Sequence, residues 1–374
     1  MDFALTPEQA LLQRTARDVL VALAPMSHVR AMMADARGTT DAVWGQLAVL
    51  GWPGLMFAEE HGGAGLGMLE LALVLQEIGR AAVPGPLLSS LVGGRALVHA
   101  GDEAQCRRWL PAICDGTRVA TFALLEASAR WDLEGVNAVA RPASGGYELS
   151  GTKLFVPDAH VADVVVCAVR NADDGEPAFV VIERDAAHDA GRVRALPSVD
   201  TTRKIFAFDL NGIHVTADRV LPGDATRALA ATLAEARVAL AADMAGGAAR
   251  VLEMTVEHVK TRQQFGQAIG AFQAVQHACA DMMVAVECAK AAVTYAAWAL
   301  AERNDDAAVA AAIAKATAGD AYRQVTAKAI QLHGGIGFTW EHDLHIYYKR
   351  AMSSEVTFGD AAWNREIVAD GIGL

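Results

Sequence analysis

Apolar positions recur at helical spacing from the start of the chain. Leu11, Leu12, Ala16, Val19 and Leu20 fall on one stripe. Just before them, Thr6-Pro7-Glu8-Gln9 has the form of a capping box, with proline at the first helical position. A second helix is expected around Trp44, Leu47 and Leu50, stopped by Gly51 and Pro53. The glycine-rich run Glu59-Glu60-His61-Gly62-Gly63-Ala64-Gly65-Leu66-Gly67 then leads into a long apolar helix over 68–78. Such a run can cradle phosphate, but Glu59 and Glu60 would repel one, so it reads as a structural turn.

Near residue 119 the pattern changes to short β-branched and aromatic runs. Residues 119–125, 147–149, 164–169, 178–182 and 205–210 read as strands, and Ser144-Gly145-Gly146 marks a hairpin. The block closes near Leu221-Pro222-Gly223. From Thr226 the chain is helical again, with alanine crowded into 228–249 and 307–318. Alanine has the highest helix propensity, and small residues let helices approach closely. Gly334-Gly335 should break one helix from the next. The expected fold is α+β: an N-terminal helical domain (1–117), a middle antiparallel, barrel-like β domain (118–222) and a C-terminal four-helix bundle (223–374).

Composition narrows the function. The chain has 374 residues, 53% of them hydrophobic and 20% charged, which suits a globular protein with ample core. A net charge of −12 and a pI near 5.4 argue against nucleic acid or an anionic membrane as partner. The five cysteines, Cys106, Cys114, Cys167, Cys279 and Cys288, form no CxxC pair. They read as buried small hydrophobes in a reducing compartment, with no metal-ligand spacing. The first residues lack a basic stretch followed by an apolar run, and the nearest approach to a membrane span, 291–301, is too short. A cytoplasmic location is the expectation.

Two runs carry the candidate chemistry. In His258-Val-Lys-Thr-Arg262-Gln-Gln264-Phe265-Gly266-Gln-Ala-Ile269-Gly270-Ala-Phe272-Gln273, the Arg262 guanidinium offers a planar fork of donors suited to a diphosphate. Gly266 and Gly270 permit close backbone approach, and Phe265 and Phe272 offer flat apolar faces. In Gln331-Leu-His333-Gly334-Gly335-Ile-Gly337-Phe338-Thr339, two adjacent glycines in a helical region cost about 1 kcal/mol each against alanine. That cost makes sense where backbone must touch a ligand or another subunit. His333 itself reads as structural.

In this order the two runs resemble the flavin-binding segments of the acyl-CoA dehydrogenase family, and the α, β, α order extends the resemblance to essentially the whole chain. The resemblance implies FAD as cofactor and an acyl-CoA thioester as substrate. It implies at least a dimer, in which Arg262, Gln264, Phe265, Ile269, Gln273, Gln331, Gly334 and Gly335 hold the diphosphate and adenine of the neighbour's FAD. An electron-transferring flavoprotein is the implied acceptor.

The chain departs from the family pattern elsewhere. Where Thr-Glu-Pro is usual it has Leu125-Glu126-Ala127, and where Trp-x-Thr follows Gly-x-Lys it has Phe155-Val156-Pro157 after Gly151-Thr152-Lys153. Proline has neither N–H nor hydroxyl to give. The family's catalytic glutamate aligns with Phe358, and the alternative base position, before an arginine on the first bundle helix, holds Ala236 before Arg237. Glu235 is one residue off, about 100° of helix rotation. Asp360 and Glu355 are displaced acids of the same kind. No catalytic residue is therefore assigned. The runs 353–365 and 235–242 resemble the subunit that lacks the glutamate in heteromeric (α2β2) steroid side-chain dehydrogenases. The leading expectation is such a subunit, working on a bulky acyl-CoA. The alternatives are a homo-oligomeric dehydrogenase using Glu235 or Asp360, a non-catalytic subunit that only grips FAD, or a flavin oxidase or monooxygenase on the same fold.

Overall fold

The structure is a computed structural model and describes residues 5–184 and 191–374. Six helices come first: α1 Pro7–Leu23, α2 Met26–Ala34, α3 Asp41–Val49, α4 Met68–Arg80, α5 Leu87–Ala100 and α6 Glu103–Cys114. Ten strands follow: β1 Ala120–Ala123, β2 Val139–Ala143, β3 Gly146–Ser150, β4 Thr152–Pro157, β5 Val164–Asn171, β6 Pro177–Glu183, β7 Val193–Ala195, β8 Ile205–Asp209, β9 Ile213–Thr216 and β10 Val220–Leu221. The chain ends in α7 Ala225–Thr261, a short hairpin of β11 Gln263–Gln264 and β12 Gln267–Ala268, then α8 Gln273–Ala301, α9 Ala307–His333, α10 Leu344–Val356 and α11 Ala361–Gly371.

By compactness these elements form two units. One comprises Met1–Ala31, Gly67–Val83 and Ala234–Leu374; the other comprises Met32–Leu66 and Pro84–Leu233. The early helices thus divide between them, α1 and α4 packing with the C-terminal helices, and α3, α5 and α6 with the strands.

In the strand-bearing unit, β5 is central. Its Val-Val-Val-Cys-Ala-Val run is buried throughout, as a strand covered on both faces must be. Val165, Cys167 and Val169 meet Leu149, Val180, Ile182 and Phe208 in one core. The main sheet runs β10-β6-β5-β2-β3-β9, with β1 also on β5, and a second sheet runs β4-β8-β7. Most pairings are antiparallel as expected, and the β2–β3 hairpin turns at Ser144-Gly145. The exceptions are β1 and β2, which both run parallel to β5. A buried ion pair pins the edge of this unit: Lys153 Nζ, fully buried, donates to Glu126 Oε1 at 2.6 Å and to Leu124 O at 3.1 Å.

In the helical unit, α1 starts at its expected cap, with Thr6 and Gln9 bonded reciprocally. α4 crosses α7 where both have glycine. A Cβ on Gly79 would strike the Asp243 carbonyl, and one on Gly246 the Gln76 carbonyl. Close by, Arg350 of α10 donates to Asp243 Oδ2 at 2.6 Å, both side chains being buried. The alanines of α9 are buried along its length, and α8 packs beside it. By length and composition α8 could also cross a membrane, and a third of its most apolar stretch is buried in the helical unit. Among the cysteines, Cys106, Cys114 and Cys167 are buried as expected. Cys288 is exposed on α8 and corrects that reading.

Candidate functional site

The two motif runs lie at the ends of α7 and α9, in the helical unit. α7 stops at Thr261, and Arg262 N still donates to His258 O at 2.9 Å. The chain then turns back on itself: Gln263 pairs with Ala268, and Gln264 with Gln267. Phe265 and Gly266 form the apex, with φ of +52° and +79°. Two left-handed residues in a two-residue loop make the turn type that matches strand twist. Glycine takes that conformation freely, whereas phenylalanine is strained in it. Phe265 is nevertheless 91% exposed, with the Phe272 ring edge-on at a centroid distance of 6.1 Å. A large apolar ring bent into a costly backbone and turned to solvent serves nothing inside this chain. So placed, the ring is available to a ligand or a second chain.

The hairpin closes when Ile269 N donates to Arg262 O at 2.8 Å. Gln273 then opens α8 on the exposed side, and the Arg262 and Gln264 side chains are exposed as well. At the other run, Gln331 is exposed on the last turn of α9. Gly334 ends the helix with φ +65°, and a Cβ on Gly334 or Gly335 would meet nothing within 4 Å. Neither glycine makes internal room; their bare backbone faces open ground. A guanidinium fork, exposed amides, open glycine backbone and a flat ring together suit a diphosphate carrying an aromatic base.

Histidines bring the two runs together. His258, one turn before Arg262, stacks on His333 with ring centroids 4.1 Å apart. His333 is buried, with Nδ1 2.8 Å from Ala329 O, in keeping with its structural reading. Sequence reasoning missed His258. Its only signal there is its place one helical turn ahead of Arg262.

The loop that should carry the base joins α10 to α11. Phe358 is buried there with φ +59°, followed by Gly359 at +94°. Two buried cations hold its main chain. Arg237 Nε donates to Phe358 O at 3.1 Å, and Lys315 Nζ donates to Glu355 O at 2.9 Å and Gly359 O at 3.0 Å. Burial pulls the Arg237 pKa down to about 10. Nothing in the sequence marks either cation for this role. The displaced acids are differently placed: Asp360 is the N-cap of α11, accepting from Trp363 N at 2.8 Å; Glu235 is half-buried beside the buried Ala236.

In the strand-bearing unit, the departures from the family pattern acquire structural roles. Glu126 accepts from the Asn137 and Ala138 N–H groups as well as Lys153. Burial raises its pKa, but the ammonium and the two N–H groups outweigh that and hold it below its ordinary value. Phe155 sits at φ +54° in an irregularity of the β4–β8 pairing between Lys153 and Val156, and is 46% exposed. The Pro157 carbonyl accepts from Thr121 Oγ1 at 2.7 Å.

The chain matches known proteins over most of its length. Residues 6–117 match the acyl-CoA dehydrogenase N-terminal domain, and residues 225–373 match the acyl-CoA dehydrogenase C-terminal domain. The chain is 33% identical to the acyl-CoA dehydrogenase IpdE2 of Mycobacterium tuberculosis, over 94% of this chain and 93% of that protein. Among solved structures it resembles a variant of the Tcur3481–Tcur3483 steroid ACAD, with TM-score 0.85 and 32% identity over 98% of this chain and 97% of that one. It also resembles the ChsE4–ChsE5 complex of Mycobacterium tuberculosis, with TM-score 0.88 and 28% identity over 100% and 99%. The chain belongs to the acyl-CoA dehydrogenase family.

Proposed function

We propose that this chain is the base-lacking subunit of a heteromeric, FAD-dependent acyl-CoA dehydrogenase acting on a bulky, steroid-linked acyl-CoA. The observation that carries the reading is Phe358: a buried aromatic ring at the base position, its main chain clamped by Arg237 and Lys315. FAD, when bound, supplies the acceptor for the hydride leaving the β-carbon. This chain's part is to hold the nucleotide end of the partner's cofactor. Arg262 would hold the diphosphate, Gln264 and Gln331 would offer amides, Gly334 and Gly335 would let main chain approach, and Phe265 would offer its ring to the adenine. Ile269 and Gln273 shape the far side of the hairpin.

Removal of the α-proton falls to the partner subunit, because losing a general base costs about 10²–10⁴-fold. Asp360 does not replace it: its carboxylate is engaged at the start of α11. Likeness to a steroid dehydrogenase and to a two-component complex supports both the substrate class and the heteromer. An electron-transferring flavoprotein is the acceptor this reading implies.

Flavin content tests the reading. The chain purified alone should carry little FAD, and co-purified with its partner it should show one FAD per pair of unlike chains. One FAD per chain from the protein alone, bleached by an acyl-CoA, overturns it. Loss of that bleaching in Glu235→Gln would then identify the base.

A further inference from the structure

A ladder of imidazoles runs beneath the two cofactor segments. His258 and His333 stack at 4.1 Å with their planes 22° apart, and His342 meets His333 edge-on at 4.8 Å. Each rung is tied to backbone that matters for the grip. The His258 carbonyl accepts the Arg262 N–H. His333 immediately precedes Gly334, with its Nδ1 on the Ala329 carbonyl. His342 Nδ1 accepts from Leu344 N at 3.2 Å, at the start of α10. The three rings therefore join the hairpin after α7, the turn after α9 and the start of α10.

The charges acting on the ladder are few. Arg262 faces His258 from the hairpin. Asp343 and Arg30 face His342, and they are paired with each other at 2.7 Å. On α10, Lys349 and His345 lie around Trp340, Lys349 Nζ at 4.0 Å from the ring centroid and His345 at 4.6 Å. The surroundings are thus mostly positive, and a proton on any rung meets another imidazole a few ångströms away.

We propose that His258, His333 and His342 are positioning residues: the neutral ladder holds the Arg262 hairpin and the Gly334-Gly335 turn in one geometry, and its protonation parts them and releases the flavin nucleotide. This rests on the reading of those segments as the grip on a partner's FAD. Burial, then the neighbouring imidazoles, push His333 down to about 4. Burial first, then the like charge of His342 and Arg262, lowers His258; burial lowers His342 too, against the opposing pull of the Asp343 carboxylate. The sign follows from linkage: rings that bind protons poorly when stacked, and normally when parted, make acid favour the parted state. The effect begins as pH falls below the ordinary value of 6.5 and is complete near 4. At pH 5.5, His333 alone gives about tenfold. An opposite effect also exists, because a protonated ring near a diphosphate would tighten the grip. It acts at longer range than the ring-on-ring repulsion.

The test uses the assembled flavoprotein and reads released FAD by fluorescence between pH 7.5 and 5.5. About tenfold greater release at the acid end is expected. The His258→Phe/His333→Phe variant keeps stacked rings that cannot take a proton and leaves His342 alone to titrate, so its release should change with pH far less than that of the unaltered chain. If that variant does not fold, His258→Phe alone should show a smaller acid-to-neutral ratio than the unaltered chain. Release that ignores pH, release that slows in acid, or variants with an unchanged profile overturn the proposal. Arg262→Ala separates the two readings. If it retains FAD at pH 7.5, the grip itself is wrong and the ladder falls with it. If it loses FAD while the ladder variants keep the original pH profile, the ladder alone is wrong.

Discussion

Phe265 and Glu126 show two ways in which single residues are bound to this fold. Phe265 is held in a left-handed backbone that costs about 1–3 kcal/mol for a side chain of its kind, and it is exposed. Phe265→Gly should therefore raise the thermal midpoint while weakening flavin retention in the assembled protein. If stability and retention rise together, the ring has no role in the grip. Glu126 is the reverse case, since its cost is met inside the fold. Glu126→Gln would leave the fully buried Lys153 ammonium without its carboxylate. Removing one member of such a pair costs about 3–5 kcal/mol, which urea unfolding would show. Because Glu126 ionises more readily when folded, its contribution is full above its ordinary value of 4.5 and is lost as pH falls through the lower folded value. Unfolding curves collected from pH 6 downward should show the unaltered chain losing its advantage over Glu126→Gln.

Glycine serves opposite ends in two elements of the helical unit. Where α4 crosses α7, Gly79 and Gly246 let main chain touch main chain, and a methyl group on either has nowhere to go. Gly246→Ala should destabilise by about 1–3 kcal/mol, as overpacking does, and lower the thermal midpoint. At the end of α9, a methyl group on Gly335 meets nothing within 4 Å. Gly335→Ala should leave the folded chain as stable as before and yet reduce FAD retention, because on the proposed reading the cofactor approaches over the open ground beside it. Equal flavin content in Gly335→Ala and the unaltered assembly would assign that glycine to nothing but helix termination. The same contrast explains why both kinds of glycine look alike in the sequence: an internal clash and an external ligand each select for the missing Cβ.

Taken as a whole, the chain has the framework of an acyl-CoA dehydrogenase, and on the proposed reading it keeps the cofactor edge and lacks the base. The loop is not eroded in its main chain, which Arg237 and Lys315 still hold at three carbonyls. On the proposed reading, a phenylalanine at the base position is what a division of labour between two subunits would leave. If so, FAD occupancy and turnover should both saturate when this chain is added to its partner in equimolar amount. Turnover that is already maximal without this chain would reduce it to a bystander.

Much of this was readable from local pattern. The Thr6 cap, the Ser144-Gly145 hairpin, the buried run of β5 and the long alanine-rich helices each depend on residues close in sequence, and local spacing carries their signal. The two motif runs are likewise local in sequence. β2 and β4 were not. β2 exposes three of its five residues and contains proline, and β4 breaks its alternation where Phe155 turns outward. The parallel pairing of β1 and β2 with β5 joins segments far apart in the chain, and no neighbour in sequence records it. The division of the early helices between two compact units is of the same kind. So are the stacking of His258 on His333, the Glu126–Lys153 pair and the hold of Arg237 and Lys315 on the base loop. Residue order settled most of the elements and the chemistry they offer. Which side chains meet was settled by packing alone, because burial and pairing energies act between residues that only folding brings within reach.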